Sequence, residues 1–387
     1  MPEYSIPLSE PTISGKEWKY VKDCLDTTWI STAGKYVDLF EQKIVKYTGA
    51  KYAVACINGT SALQVALKLA GVIPGDEVIV PTITFIAPVN AVRYNGAEPI
   101  FMDADNYYNI DAEKTISFIE NETTFKNGFS YNNKNNKRIA ALIPVHVYGN
   151  AVWLDEIIRV CQERNISIVE DAAESMGTTY IRGKFSGKHT GTIGKLGCLS
   201  FNGNKIITTG GGGMILTNEQ ELADKARYLT TQAKDDTVRF IHHEIGYNFR
   251  LTNIQAAIGV AQLEQLPKFL KYKRKIFHQY QMALQNIEGL TIASVPDYSN
   301  NNHWLNLLQI DSEVYGKDRN TIMQQLDSNG IQTRPVWHPN HMQKTYDNSR
   351  GYAIEKSNVL VDTSLCLPSG TNITKAQLNE VIRSLLL

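Results

Sequence analysis

Residues 198–205 read CLSFNGNK and run directly into IITTGGGG. A strand-like apolar run breaks into Asn-Gly-Asn, delivers Lys205, and gives way to four glycines at 210–213 that leave the next turn almost bare. Most lysines are solvated surface charges. One set beside a run of glycines can meet a bound molecule, because glycine admits tight turns and close backbone approach, although a glycine-rich hairpin without chemistry looks the same. Two further clusters offer partners for this lysine. INGTSALQVAL places Gly59, Thr60 and Ser61 where a strand passes into a helix. Free N–H groups, hydroxyls and the positive end of the helix dipole suit a phosphate there, while Thr60 or Ser61 serves equally as a helix cap. ISIVEDAAES puts Glu170 and Asp171 at the end of an apolar strand, with Glu174 three residues beyond Asp171. Such a carboxylate lies where open α/β sheets bind ligands, and Asp is also an ordinary helix N-cap.

A buried aspartate needs a compensating charge. A protonated pyridine nitrogen supplies one, since each partner favours the ionised form of the other. Pyridoxal phosphate carries that nitrogen, a phosphate for the Gly59-Thr60-Ser61 turn, and an aldehyde that condenses with a single lysine, which gives Lys205 a role. Competing motifs are absent: there is no G-x-x-x-x-G-K-[ST], no G-x-G-x-x-G opening a helix after a strand, and Leu63 stands where a hydrolase elbow needs its second glycine. His146 in PVHVYGN has no second ligand at metal spacing, so it reads as structural and no metal is expected.

These residues need a scaffold. From about residue 50 to 220, short β-branched runs alternate with helical patterns, the form of a mainly parallel sheet covered by helices. The Asn-rich stretch 121–136, NETTFKNGFSYNNKNN, reads as a surface excursion before a central strand. After Thr252, a suitable N-cap, a helical period longer than 25 residues suggests a connector bent or broken at Pro267. Strands and helices alternate again from 290 to 387. The expected division is therefore a large α/β domain over 1–250, then the connecting helix and a small α+β domain over 251–387. Acidic and basic residues balance at 39 each without long runs of one sign, which argues against a nucleic-acid partner. The five cysteines form no C-x-x-C pair, no apolar run approaches membrane-spanning length, and the start MPEYSIPLSE has no secretory pattern. A reducing cytoplasm and no membrane contact are expected.

In this order, N-G-T-S, PTITFIAP, VEDAAES, SFNGNK with TTGGGGMILTN, and GYNFRLTNIQAAIG resemble the nucleotide-sugar aminotransferases of the DegT/StrS type over essentially the whole chain. The resemblance implies fold type I, an α/β large domain around a mostly parallel sheet of the seven-stranded type, and a homodimer with shared active sites. It implies Lys205 as the lysine joined to pyridoxal phosphate, Asp171 on the pyridine nitrogen, and Glu174 near the ring hydroxyl at a position often Gln or His in relatives. Phe85 matches the aromatic that stacks on the ring, Ser200 a phosphate-binding hydroxyl, and Asn248 a residue reaching the phosphate of the neighbouring subunit. Read alone, Phe85 is equally a core aromatic, Ser200 a solvent-facing strand serine, and Asn248 a turn residue. TTWISTAGKYVDLFE and RPVWHPNH resemble segments closing over the nucleotide-sugar, which nominates Thr32, Lys35, Arg334, Trp337 and His338; each also has an ordinary use in packing, a surface ion pair or a loop. FNGNKIITTGGGG, the 121–136 insertion and RPVWHPNH resemble the branch that aminates UDP-4-keto-6-deoxy-N-acetylglucosamine at C4, with glutamate as donor, on the way to bacillosamine or legionaminic acid. Related dehydratases carry histidine at the lysine position, so Lys205 favours transamination. A 3-amino or a GDP- or dTDP-sugar aminotransferase is the nearer alternative; a non-catalytic sensor on the same fold is disfavoured by the intact lysine, aspartate and phosphate loop.

Overall fold

The computed structural model describes residues 4–236 and 238–387. Two helices, α1 (Glu17–Asp26) and α2 (Lys35–Thr48), precede the alternating region. There the strands β1 (Tyr52–Cys56), β2 (Glu77–Pro81), β3 (Glu98–Met102), β4 (Thr123–Lys126), β5 (Phe129–Asn132), β6 (Ile139–Leu142), β7 (Ser167–Asp171), β8 (Thr179–Tyr180), β9 (Leu196–Ser200) and β10 (Gly213–Thr217) are interleaved with α3 (Gly59–Leu69), α4 (Ala87–Tyr94), α5 (Ala112–Asn121) and α6 (Asp155–Glu163). Helix α7 (Gln220–Thr230) follows β10, and α8 (Asn253–Leu284) leads to β11 (Leu290–Ile292), β12 (Ser299–Asn300), β13 (Asn306–Ile310), β14 (Arg334–Pro335), β15 (Arg350–Tyr352) and β16 (Ser364–Leu367).

The main sheet has eight strands in the order β1-β10-β9-β7-β6-β2-β3-β15. Only β10 runs against its neighbours; the pairs from β9 through β7, β6, β2 and β3 to β15 are parallel. Strands β2 and β10 are buried along their whole length, as expected where both faces are covered and the sequence is a continuous apolar run. The eighth strand is a departure from the seven-stranded expectation. It comes from beyond residue 251, so the chain crosses the division expected at residue 250 to complete this sheet. A second sheet, β11-β13-β16-β14, encloses a separate apolar cluster with Ile276, Tyr280, Leu326 and Val381.

Residues 121–136 form the β4–β5 hairpin, closed by Asn127 and Gly128, both with positive φ (53° and 79°). That geometry matches the twist of a two-residue hairpin turn and is cheap for Asn-Gly. The hairpin is tied down where Asn132 Nδ2 and Asn135 Nδ2 each donate to the Glu77 carboxylate at 2.7 Å. None of its residues lines the cavity around Lys205. Thr252 does cap α8, in a reciprocal capping box with Gln255. The helix then runs unbroken through Pro267 to Leu284, contrary to a break there. Its buried face grips α2 closely: a Cβ on Gly259 would lie 2.7 Å from the Phe40 ring.

Candidate active site

Three chain turns meet at the carboxyl edge of the parallel strands. From β1 the chain enters α3, from β7 it delivers Asp171, and after β9 it carries Lys205 before returning as β10. They line one cavity of about 350 Å³ that includes Gly59, Thr60, Asp171, Glu174, Ser200 and Lys205. Phe85, Trp304 and Trp337 complete its wall.

The head of α3 differs from expectation in one respect. Neither Thr60 nor Ser61 caps it; Asn58 does, its Oδ1 accepting the Ser61 N–H at 2.8 Å. Ser61 is thereby buried and lies outside the cavity lining, whereas Gly59 and Thr60 remain part of it. Ser200 faces Gly59, where an added Cβ would stand 2.9 Å from the serine Cβ, so the strand serine turns to the cavity. The four glycines also have a different use from close approach to a ligand. Gly213 passes against Asn58, where a Cβ would fall 2.4 Å from the carbonyl oxygen, and Gly212 has φ +136°. They let β10 lie against the turn that opens α3, and none of them lines the cavity.

Asp171 is the last residue of β7, only 4% exposed, and no helix begins there, which removes its reading as an N-cap. Its Oδ1 accepts the Ala173 N–H at 3.0 Å. Burial raises its pKa above the ordinary carboxylate value, against the pull of that N–H and of the Lys205 charge. Behind it, Glu170 is fully buried and accepts from the N–H groups of Gly191, Ile193 and Gly194 and from His146 Nε2. Burial opposes its charge, yet His146 and those N–H groups outweigh it and hold the carboxyl below its usual range. His146 Nδ1 accepts the Val152 N–H, so Nε2 carries the proton it gives to Glu170. This histidine is a structural strut.

Lys205 Nζ stands 3.5 Å from Glu174 Oε1 and 4.1 Å from the Trp304 ring centroid. Glu174 is 5% exposed, and burial pushes it up to about 7 despite Lys205 and the Tyr148 N–H, which Oε2 accepts at 2.8 Å. Trp304 is not among the residues that the sequence singles out. It is held from several sides: Nε1 donates to the Asn204 carbonyl, its N–H to Asn302 Oδ1, and its carbonyl accepts from buried Lys273. The adjoining NNHW residues, a polar cluster just before an apolar strand, were the available signal.

The sugar-side nominees divide into two groups. Arg334, Trp337 and His338 line a second cavity of about 420 Å³ that shares Asn204, Trp304 and Trp337 with the first. Trp337 stacks on Tyr148 with centroids 4.5 Å apart. Thr32 and Lys35 instead line a cavity of about 640 Å³ with Trp29, Arg227 and Arg250, separate from Lys205. Lys35 pairs with Asp23 at 2.8 Å. Asn248 is exposed and bridges to Thr231, also outside the lining of the Lys205 cavity. Phe85 lines that cavity and is 55% exposed, so it is not a core aromatic.

A model described as the DegT/DnrJ/EryC1/StrS aminotransferase family matches residues 11–386. The chain belongs to this family. GDP-perosamine synthase of Caulobacter vibrioides is 37% identical over 382 residues, covering 98% of this chain and 97% of that protein. The crystal structure of the aminotransferase TlmJ from Streptoalloteichus hindustanus superposes with a TM-score of 0.87 at 26% identity, over 98% of this chain and 97% of the other. DesI, solved in the presence of its TDP-sugar product, gives a TM-score of 0.87 at 25% identity, over 100% and 93% of the two chains. This DegT-family protein is a pyridoxal phosphate-dependent sugar aminotransferase. The donor set fits that cofactor. A buried acid with a raised pKa suits a cationic ring nitrogen, a capped helix start with Gly59 and Thr60 suits a phosphate, and an amine stands in the same cavity.

Proposed function

We propose that this enzyme transfers the amino group of glutamate to C4 of a nucleotide-linked 4-keto-6-deoxy sugar, with UDP-4-keto-6-deoxy-N-acetylglucosamine as the specific acceptor. The observation that carries the reading is the convergence of Lys205, Asp171, Glu174 and the α3 start in one cavity that opens past Trp304 and Trp337 toward Arg334. When bound, pyridoxal phosphate supplies the aldehyde and the electron-withdrawing ring that carry the amino group between the two substrates. Lys205 would be the amine that holds the cofactor, and as a free amine it would move a proton at the reacting carbon. Asp171 would keep the ring nitrogen protonated, Gly59, Thr60 and Ser200 would hold the phosphate, and Phe85 would lie against the ring. Ser61 supports the phosphate turn from behind. Arg334 and His338 face the nucleotide-sugar diphosphate, where a guanidinium fits two anionic oxygens.

Thr32, Lys35 and Asn248 act, in this reading, on the site of a second subunit in a homodimer. What supports this is their separation from Lys205 within one chain, together with exposed apolar side chains nearby: Trp29, Ile30, Val238, Phe240 and Ile245. The near full-length likeness to a GDP-perosamine synthase favours a second reading, in which the nucleotide is GDP.

Two experiments test the proposal. Borohydride reduction of the yellow holoenzyme followed by peptide mapping should place the pyridoxyl group on Lys205; its recovery on another lysine would remove the central assignment. Product analysis by mass spectrometry and NMR with UDP-, GDP- and dTDP-linked keto-sugars should give the C4 amine of the UDP sugar. Amination at C3 refutes the position, and a preference for GDP establishes the second reading.

A further inference from the structure

Glu174 is one buried acid more than a single ring nitrogen requires, and it touches the lysine rather than the cavity mouth. Its Oε1 is 3.5 Å from Lys205 Nζ, its Oε2 accepts the Tyr148 N–H, and its main-chain carbonyl accepts from Asn302 Nδ2 at 2.8 Å. The carboxyl is therefore held at both oxygens, and its backbone is pinned by Asn302. On the other side of Nζ lies the Trp304 indole face, which attracts a cation but accepts no proton. The titratable groups facing Glu174 are Lys205 after β9, Asp171 at the end of β7, Tyr148, and Cys366 of β16 behind them.

We propose that Glu174 is the proton-exchange partner of Lys205: its carboxylate takes a proton from the Lys205 ammonium and later returns it. One N–H bond breaks and one O–H bond forms, the ion pair becomes a neutral pair, and no further reactant is consumed. Lysine must be a neutral amine to act as a base or nucleophile, and an ordinary carboxylate is a poor acceptor from an ammonium ion. Burial corrects this by pushing Glu174 up to about 7. The gap of 3.5 Å closes by a small rotation of the lysine end, and the Tyr148 N–H keeps the acid from following. Protonated Glu174 can also donate a hydrogen bond, which an ionised Glu cannot.

The inference rests on the role proposed above for Lys205, and a borohydride adduct mapped to a different lysine would overturn it together with that role. Its own test uses Glu174→Gln, which keeps an oxygen for the Tyr148 N–H and the same shape but takes no proton. Infrared difference spectra of the apoenzyme, titrated about one unit either side of 7, should contain the carbonyl stretch of a protonated carboxylic acid that Glu174→Gln removes and Asp171→Asn leaves. In single turnovers with glutamate, Glu174→Gln should slow proton transfer by ~100-fold and remove the ionisation near 7 from the pH profile, with the apparent affinity for glutamate changed by less than about 2-fold. A variant within about 3-fold of the parent across the pH range, or no acid band sensitive to Glu174, overturns the proposal. Should Glu174→Gln fail to fold, Lys205→Met carries the test: loss of the cation should move the titration of the same band to higher pH, and an unmoved band refutes the pairing.

Discussion

Asp171 and Glu174 sit three residues apart in one cavity, and their environments assign them different tasks. Asp171→Asn should retain pyridoxal phosphate, because the phosphate turn and Lys205 are untouched, yet slow turnover by ~100-fold or more, since a neutral amide cannot hold a pyridine nitrogen protonated. Absorbance titration and steady-state kinetics check both halves; near-parent turnover would reduce Asp171 to a structural acid. Glu174 also makes a pH signature in folding. Its folded pKa, about 7, lies above the ordinary value of 4.5, so its contribution to stability is complete below about 4.5 and is lost as pH rises through 7. Glu174→Gln does not titrate. The stability of the apoenzyme variant minus that of the parent, from urea unfolding, should therefore rise by on the order of 1–3 kcal/mol between pH 5 and pH 8. A difference independent of pH would show that Glu174 is not held in a poorly solvated place. That Asp171 and Lys205 share one cavity was legible because Asp171 ends β7 and Lys205 follows β9 by a short turn, each within a recognisable neighbour pattern. Trp304 was not, since it comes to Lys205 from 99 positions away and nothing local distinguishes it from a core tryptophan.

At the scale of elements, the entry to α3 separates two functions that the sequence left on the same residues. Asn58 caps the helix, and Thr60 is left to face the cavity. Asn58→Ala should cost ~1 kcal/mol of stability even without cofactor, the usual loss for an N-cap. Thr60→Ala should leave apoenzyme stability nearly unchanged and weaken pyridoxal phosphate binding by about 10-fold, the loss of one hydrogen bond to a charged group. Denaturant unfolding and cofactor titration of both variants check this; equal effects on both measurements would mean that cap and phosphate contact are not divided. The expected cap falls two or three residues late, since Asn, Thr and Ser all serve and only backbone angles decide among them. The glycines after Lys205 were likewise visible, with close approach to a ligand and a plain glycine-rich turn both open. Their need arises from packing against Asn58, a contact between segments about 155 positions apart.

For the whole molecule, the alternation of strands and helices foretold the sheet, and Thr252 as an N-cap foretold the start of α8. The edge strand was hidden, because Arg350-Gly351-Tyr352 is too short and too poor in β-branched residues to read as one. The separation of Asn248 and Thr32 from Lys205 within one chain gives the molecule-scale prediction. Neither Lys205→Ala nor Asn248→Ala homodimers should approach parent activity, but exchanging subunits should restore part of it, because one site of each mixed dimer then carries both changes and the other neither. Activity after verified exchange that stays at the level of the separate variants would argue for sites built from single chains.

The short pairing of β15 with β3 bears on how the polypeptide reaches its final form. The backbone edge of β3 at Ile100, Phe101 and Met102 pairs with residues 350–352, which are synthesised much later. Until then an apolar rim with unused N–H and C=O groups is open to strands of other molecules. A fragment ending at residue 289 would retain seven of the eight strands and still lack this guard, so it should accumulate as aggregates during expression while the full chain stays in solution. Recovery of that fragment as a soluble monomer, measured by light scattering, would mean the rim is shielded by other means. Aggregation of the fragment would mean instead that residues 290–387 guard the sheet edge of residues 1–289, in addition to what they contribute around the substrate.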